Sequence, residues 1–182
     1  MHWTRERLIT HLSSGGDVEY LFFWGHTQKR PDAVDASCLS QWFPRAFRVD
    51  GVQYLSAEHF MMAEKARLFR DEAALQRILV APSPAEAKAL GRGVENYEDA
   101  AWEAARFEAV TRGNIAKFGQ HPDLHQFLKR TGEKVLVEAS PRDVVWGIGL
   151  GAANPKARDP AAWRGRNLLG FALMEARSAL VG

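Results

Sequence analysis

The chain has 182 residues, 46% of them hydrophobic and 25% charged, with a formal net charge of +2. This composition is typical of one globular domain, and the small net charge excludes a protein that binds nucleic acid through its whole-molecule field. No run of about 18 apolar residues occurs and Cys38 is the only cysteine, so we expect no membrane partner, no disulfide, no metal site and a cytoplasmic location.

Four short elements are predicted before residue 55. They are a helix over 3–13, a buried aromatic strand over 19–24, a polar loop over 25–32 and a hairpin over 45–54. The hairpin is predicted from Asp50-Gly51, because this pair favours the positive φ angles of a two-residue turn.

The rest of the chain is predicted to be mainly helical. Ser56 is the expected N-cap of a helix whose buried stripe consists of Leu55, His59, Met62, Ala66 and Phe69. Further helices are expected over 71–80, 83–91, 97–118, 122–130 and from about 167, with a strand over 134–138. The pattern indicates an α+β, predominantly helical fold in a single compact domain over 1–182, with a core at about 20–178 and a helical extension at 1–19.

The segment 139–166 is longer than an ordinary connection in a compact domain, which favours a functional loop. Within and just after it, Asp143, Trp146, Gly147 and Asn167 combine an indole face, a glycine that permits close approach and directional polar atoms. We interpret them as a cradle for a polar, partly planar ligand. The alternatives are a turn-forming role for Asp143 and a capping role for Asn167, at a helix N-terminus that also suits a phosphate.

Charged residues on the helix after Ser56 are the first candidates for chemistry. Glu58 and Lys65 are seven residues apart, which places them on one face about 10 Å apart along the axis. They could form two ends of a pocket floor. The alternative is that both are solvated, with Glu58 complementing the helix dipole.

Other polar residues are weaker candidates. Arg92, between Gly91 and Gly93, is interpreted as a basic turn that either binds an anion or is solvated. His26 follows Gly25 at a strand end, a place where sites are common. Another polar group on a helix is expected to form a solvated face: Arg112, Asn114 and Lys117.

Eight motifs resemble those of the NADAR (YbiA-like) family, in the family's order over roughly residues 20–178. They are Phe22-Phe-Trp-Gly-His26, Leu39-Ser-Gln-Trp-Phe-Pro44, Ser56-Ala-Glu-His-Phe-Met-Met-Ala-Glu-Lys-Ala66, Lys88-Ala-Leu-Gly-Arg92, Gly113-Asn-Ile-Ala-Lys-Phe118, Leu136-Val-Glu-Ala-Ser140, Asp143-x-x-Trp-Gly-Ile-Gly149 and Trp163-x-Gly-x-Asn-Leu-Leu-Gly170. One departure is Gln41, where the family often has asparagine, so Gln41 is not expected to contact a ligand.

The resemblance implies a NADAR fold and an N-glycosidase that needs no cofactor or metal. Its substrate would be a phosphoribosylamino-pyrimidine intermediate of riboflavin synthesis or ADP-ribose attached to the guanine amino group, free or in nucleic acid. The alternative is a non-catalytic domain that binds ADP-ribose or another NAD metabolite. The oligomeric state is left open.

The resemblance also directs the expected roles of the candidate residues. Glu58, with Asp143 second, would stabilise charge at the ribose C1′ and orient water. Lys65 could instead capture C1′ as a Schiff base. Trp42 or Trp146 would stack on the base. Gly25, His26 and Gly147 would line the substrate pocket, and Arg92 with the last helix near Asn167 would hold phosphate.

Overall fold

The computed structural model describes residues 3–30 and 32–181, which form one compact, predominantly helical α+β domain, as predicted. Seven α-helices lie in these ranges: α1 (Arg5–Ser13), α2 (Ala57–Leu68), α3 (Glu72–Leu79), α4 (Pro84–Arg92), α5 (Asp99–Gln120), α6 (Pro122–Arg130) and α7 (Leu168–Val181). The strands are β1 (Tyr20–Phe23), β2 (Phe47–Val49), β3 (Val52–Tyr54) and β4 (Val135–Glu138). Three short 3₁₀ turns occur at Ala36–Leu39, Pro155–Arg158 and Pro160–Ala162.

The strands form two separate pairs. β1 pairs in parallel with β4, from Tyr20 opposite Val135 to Phe23 opposite Glu138. β2 and β3 form the predicted antiparallel hairpin, and Asp50 and Gly51 at its turn have φ angles of 51° and 80°. The parallel pair joins distant parts of the sequence and brings the ends of β1 and β4 to the same edge.

Helix α2 lies between α3, α4 and α5, and most of its residues are buried. Its N-cap is Ser56, as predicted, whose hydroxyl accepts a hydrogen bond from the backbone N–H of His59. Glycines allow the neighbouring helices to approach closely. A Cβ on Gly91 of α4 would lie 2.1 Å from the Met62 sulfur, and one on Gly113 of α5 would lie 2.6 Å from the Phe60 ring.

Residues 139–166 contain no α-helix or strand, as expected, yet backbone hydrogen bonds hold them together. The carbonyl of Ile148 accepts from the N–H groups of Arg164 and Gly165, and Gly147 O accepts from Asn167 N at 3.1 Å. The two Trp/Gly stretches therefore pack directly on each other. A Cβ on Gly165 would lie 2.2 Å from Gly147 O, so a close backbone contact requires glycine there.

No helix in the described ranges is long and apolar enough to cross a membrane.

Candidate active site

Three acids from separate elements form a cluster, in which the charge of Asp143 raises the pKa of both Glu58 and Glu138. Glu58 comes from the first turn of α2, Glu138 is the last residue of β4, and Asp143 lies in the loop that follows β4. Glu58 and Glu138 each interact electrostatically with the other acids and with Lys88 of α4. The fold thus brings together one cation and three carboxyl groups that are far apart in sequence.

Glu58 is almost entirely buried, with 2% of its surface exposed. Its N–H donates to Gln41 O at 2.9 Å, and its side chain takes a hydrogen bond from Trp42, while Oε1 has no partner among the described residues. Burial raises the pKa of Glu58 to about 7, and Lys88 opposes this rise. A carboxyl that titrates near neutral pH is suited to proton transfer.

Glu138 is the acid that the sequence analysis did not select. Its N–H donates to Asn167 Oδ1 at 2.9 Å and its carbonyl accepts from Ile148 N at 3.0 Å, so the backbone is fixed. Oε2 of its side chain is enclosed and has no hydrogen-bond partner in the described part of the chain. Burial, followed by the charge of Asp143, raises the pKa of Glu138 to about 8.

Asp143 organises the loop through one carboxylate oxygen. Oδ1 accepts from the N–H groups of Val145 at 2.8 Å and Trp146 at 2.7 Å, and a third, longer contact at 3.5 Å comes from Gly147. The turn-forming interpretation is therefore correct. These donors commit Oδ1 to the backbone of the loop.

Helix α4 supplies the cations of the site. Lys88 and Arg92 are four residues apart on one face of α4, and both lower the pKa of Glu58. Arg92 ends the helix rather than forming a flexible turn, which corrects the sequence interpretation. Across the described ranges, Lys88 forms no ion pair within 4.0 Å of these acids, which leaves room for ligand atoms between them.

Aromatic rings lie beside the acids. The Lys88 ammonium is 5.8 Å from the centroid of the Trp42 ring, and the exposed ring of His26 is 5.7 Å from Trp42. Gly25 has a φ of 83°, so it makes the turn that carries His26 away from β1. Trp42 therefore lies between a buried carboxyl, an ammonium group and an imidazole.

Lys65 lies outside this cluster, contrary to the sequence prediction. Its ammonium donates to Gly91 O at 2.8 Å and lies 4.1 Å from the centroid of the Tyr97 ring. Only burial is found to lower its pKa, and none of the three acids contributes. Lys88, and not Lys65, is the lysine whose charge acts on Glu58, and the catalytic role of Lys65 remains a prediction.

Three residues predicted to bind substrate make contacts within the domain, and their substrate-binding role remains a prediction. Asn167 is fully buried, has a φ of 56°, and uses both side-chain polar atoms on the β4 backbone, so its side chain does not cap α7. Gly147 approaches the protein's own backbone, since a Cβ there would lie 2.9 Å from Glu138 O. Trp146 packs beside Arg106 of α5, whose guanidinium is 6.0 Å from its ring centroid.

Two concave spaces lie away from the acids. A cavity of about 380 Å³ lies between the start of α1, α5 and α7, and one of about 390 Å³ lies between α2 and α5. Neither is lined by Glu58, Glu138 or Lys88. We place the site at the acid cluster because buried carboxyls without partners are costly and accumulate where a protein performs chemistry.

Comparison with known proteins identifies the family. Residues 22–181 match the model of the NADAR domain. The chain belongs to the NADAR family. It is 41% identical to N-glycosidase R617 of Acanthamoeba polyphaga mimivirus, covering 87% of this chain and 95% of that protein. It is 31% identical to N-glycosidase YbiA of Escherichia coli K12, covering 82% of each chain. The NMR structure of E. coli YbiA has a TM-score of 0.72 at 28% identity and covers 90% of this chain and 85% of that chain.

The NADAR match begins after α1, which is attached to the domain by specific contacts. The Arg5 guanidinium donates to the carbonyls of Pro160 and Ala161, and Leu8 is fully buried. The helix predicted at 3–13 is therefore present and packs on the long loop. Its division from the core at residue 19 remains a prediction.

Buried polar residues of α5 hold the segment of the NADAR domain that carries Trp42. The fully buried ammonium of Lys117 donates to Cys38 O at 2.6 Å and Ser40 O at 3.0 Å, and burial lowers its pKa to about 7. Asn114 donates to the Gln41 side chain, which ties this segment to α5. The prediction of a solvated face was wrong for Lys117 and Asn114, although Arg112 is exposed.

No group of three or more His, Cys, Asp or Glu in the described ranges is arranged to hold a metal ion. His121 and His125 have the four-residue spacing of a helical metal pair. Their rings instead bond to Ala46 O and Leu180 O. Cys38 is fully buried, and burial raises the pKa of its thiol to about 12, so it is not a ready nucleophile.

Proposed function

We propose that this NADAR domain is an N-glycosidase that cleaves the C1′–N bond of a phosphorylated ribosyl amine. The observation that carries the proposal is the pair of carboxyls of Glu58 and Glu138 beside Lys88 and the Trp42 ring, each with one enclosed oxygen that has no hydrogen-bond partner among the described residues. The relatives named N-glycosidase support the same reaction class.

Cleavage of a C1′–N bond places positive charge on the ribose ring, so the site needs anions close to C1′. Asp143 has one oxygen fixed by the loop backbone, which suits a group that stabilises charge without moving. Glu58, with its pKa raised to about 7, gains and loses a proton near neutral pH. In our proposal it takes the proton of the attacking water.

Lys88 provides a second route when the leaving nitrogen is exocyclic. Such a ribosylamine opens to an imine between C1′ and nitrogen. The Lys88 ammonium first gives a proton to the Glu58 carboxylate, and the resulting amine adds to C1′. The base nitrogen takes a proton and leaves as the amine, and water then hydrolyses the lysine imine to release the ribose aldehyde and restore the ammonium. The acids beside Lys88 relay the protons of these steps.

The two ends of the substrate require different groups. Trp42, with His26 beside it, offers an aromatic surface for the base. Arg92 offers a guanidinium for phosphate, close enough to Glu58 to affect its ionisation. This arrangement suits both ADP-ribosylated guanine and a phosphoribosylamino-pyrimidine, because each joins a ribose phosphate to a planar amine. ADP-ribosylated nucleic acid would present the same linkage.

The test is turnover of ADP-ribosylated guanosine and of the phosphoribosylaminouracil intermediate, followed by chromatographic detection of the released base. We expect wild-type protein to release base from at least one of them and Glu58→Gln to lose about 10²- to 10⁴-fold in rate. Glu133→Gln, on an exposed turn, is the matched control and should retain full activity.

Failure of both substrates to release base above the buffer rate would sink the proposal. Calorimetric binding of ADP-ribose without any product over hours would point instead to the non-catalytic sensor. Full activity of Glu58→Gln would show that the acid cluster is not the reaction centre.

A further inference from the structure

Glu138 differs from Glu58 in the charges that surround it. Glu58 of α2 takes a hydrogen bond from Trp42 and faces two cations, Lys88 and Arg92, of which Lys88 has the larger effect. Around Glu138, the carboxylate of Asp143 in the loop has the largest charge effect, followed by Lys88 of α4 and then Glu58. The surroundings of Glu58 favour an anion more than those of Glu138 do.

The position of Glu138 is fixed more firmly than that of an ordinary strand-end residue. The amide of Asn167 holds its N–H, and that amide also donates to Leu136 O at 2.9 Å. Its carbonyl holds Ile148 N. These bonds fix the backbone of Glu138 and hence the position of its side chain. Oε2 of that side chain is enclosed and has no hydrogen-bond partner in the described structure. Glu138 as a whole is half-buried, but a carboxyl with one oxygen enclosed and without a partner is most stable with its proton on.

We infer that Glu138 is the proton donor to the departing nitrogen of the cleaved bond, an inference that rests on the proposed function. The division of labour follows from the surroundings: two neighbouring carboxyls held in different environments take different protonation states and hence different roles. Burial keeps the pKa of Glu138 near 8, so the group carries its proton at neutral pH.

The proton transfer balances in the direct hydrolysis. As the C1′–N bond breaks, its electron pair passes to nitrogen, which takes the proton of Glu138 and leaves as a neutral amine. Water adds to C1′ and gives one proton to Glu58. That proton then returns to Glu138 through Lys88 or solvent. The net reaction consumes one water and regenerates every side chain.

A comparison of leaving groups separates this role from a structural one. The probes are the 5-phosphoribosyl derivatives of aniline and of 4-nitroaniline, measured above their spontaneous hydrolysis. The nitro group stabilises the departing anion, so its cleavage needs less help from an acid. We expect Glu138→Gln to lose about 100-fold or more with aniline and less than about tenfold with 4-nitroaniline. Glu133→Gln should match wild type with both.

The outcomes distinguish this inference from the function on which it rests. If wild-type protein cleaves neither probe nor either ribosyl substrate, the proposed function fails and Glu138 fails with it. If wild type is active but Glu138→Gln loses equally on both probes, or loses nothing, only the proton-donor role fails.

An independent measurement covers a Glu138 variant that does not fold. The ¹³Cδ resonance of Glu138 in wild-type protein should titrate above neutral pH. A midpoint close to 4.5, the ordinary value for glutamate, would overturn the inference even without kinetics.

Discussion

Glu58→Gln should make the protein inactive and yet more stable at alkaline pH. The pKa of Glu58 is raised from the ordinary 4.5 to about 7, so the folded protein holds this proton more tightly than the unfolded chain does. Below pH 4.5 the carboxyl is protonated in both states and its contribution to stability is fully present. As the pH rises from 4.5 through about 7, the unfolded chain releases its proton first and the native state loses stability.

The size of the loss follows from the pKa difference. At about 1.4 kcal/mol per pKa unit, the change from 4.5 to about 7 corresponds to about 3 kcal/mol of unfolding free energy. Glutamine has nearly the same shape and does not ionise. The stability of Glu58→Gln relative to wild type should therefore rise by about 3 kcal/mol between pH 4.5 and pH 8.

Urea unfolding of both proteins at several pH values measures this difference directly, because effects common to both proteins cancel. Glu133→Gln, which changes an exposed acid, should show no such trend. A difference between Glu58→Gln and wild type that stays constant from pH 4.5 to pH 8 would refute the assignment of Glu58 as a buried carboxyl with a raised pKa.

Three further perturbations test the site and its scaffold. Asp143→Ala should destabilise the protein by about 2–4 kcal/mol in urea unfolding, because two close backbone N–H donors lose their acceptor; Asp143→Asn, which keeps an oxygen, should cost less. Gly170→Ala should lower the free energy of unfolding by more than about 3 kcal/mol, since its Cβ would lie 2.0 Å from Leu136 O. Gly151→Ala, whose Cβ would lie in open space, should change it by no more than about 0.5 kcal/mol. Equal melting temperatures of the two variants would contradict the packing at Gly170. Lys88→Met should abolish turnover and also the trapping of a substrate adduct by borohydride. Lys65→Met should keep measurable activity. The reverse result would identify Lys65 as the nucleophile.

The local elements were predictable because their signals are local. Ser56 with the stripe from Leu55 to Phe69 predicts α2, and Asp50-Gly51 predicts the hairpin turn, each from a few neighbouring residues. The long loop is equally clear, because its Trp and Gly residues interrupt both the helical and the strand period. The resemblance to the NADAR family is confirmed by the domain match.

The composition of the site was only partly predictable, because it depends on packing between distant segments. Glu138 reads as the end of a short buried strand, and nothing local says that this strand pairs with β1 and ends near α2. Helix spacing correctly places Glu58 and Lys65 on one face of α2. A helix buried on most sides, however, presents that face to different neighbours along its length, and near Lys65 the neighbour is the end of α4.

Buried polar scaffold residues were misread for a related reason. Lys117 and Asn114 look like a solvated patch, because charged and amide side chains are usually exposed. Here Lys117 is satisfied by the carbonyls of Cys38 and Ser40. A sequence pattern does not reveal acceptors that come from the other end of the domain.

The parallel pairing of β1 with β4 also sets the order in which the site forms during folding. Helices α2 to α6 lie between these strands in the sequence, so the contact of the strands closes a long loop. The entropy cost of closing this loop opposes the pairing until the strand contacts form. Helices α2 and α4 are separated in sequence only by α3, so the contact between the segments that carry Glu58 and Lys88 closes a short loop. Glu138 and Asp143 reach the site only when β4 docks on β1. The site is therefore completed by the contact that closes the longer loop.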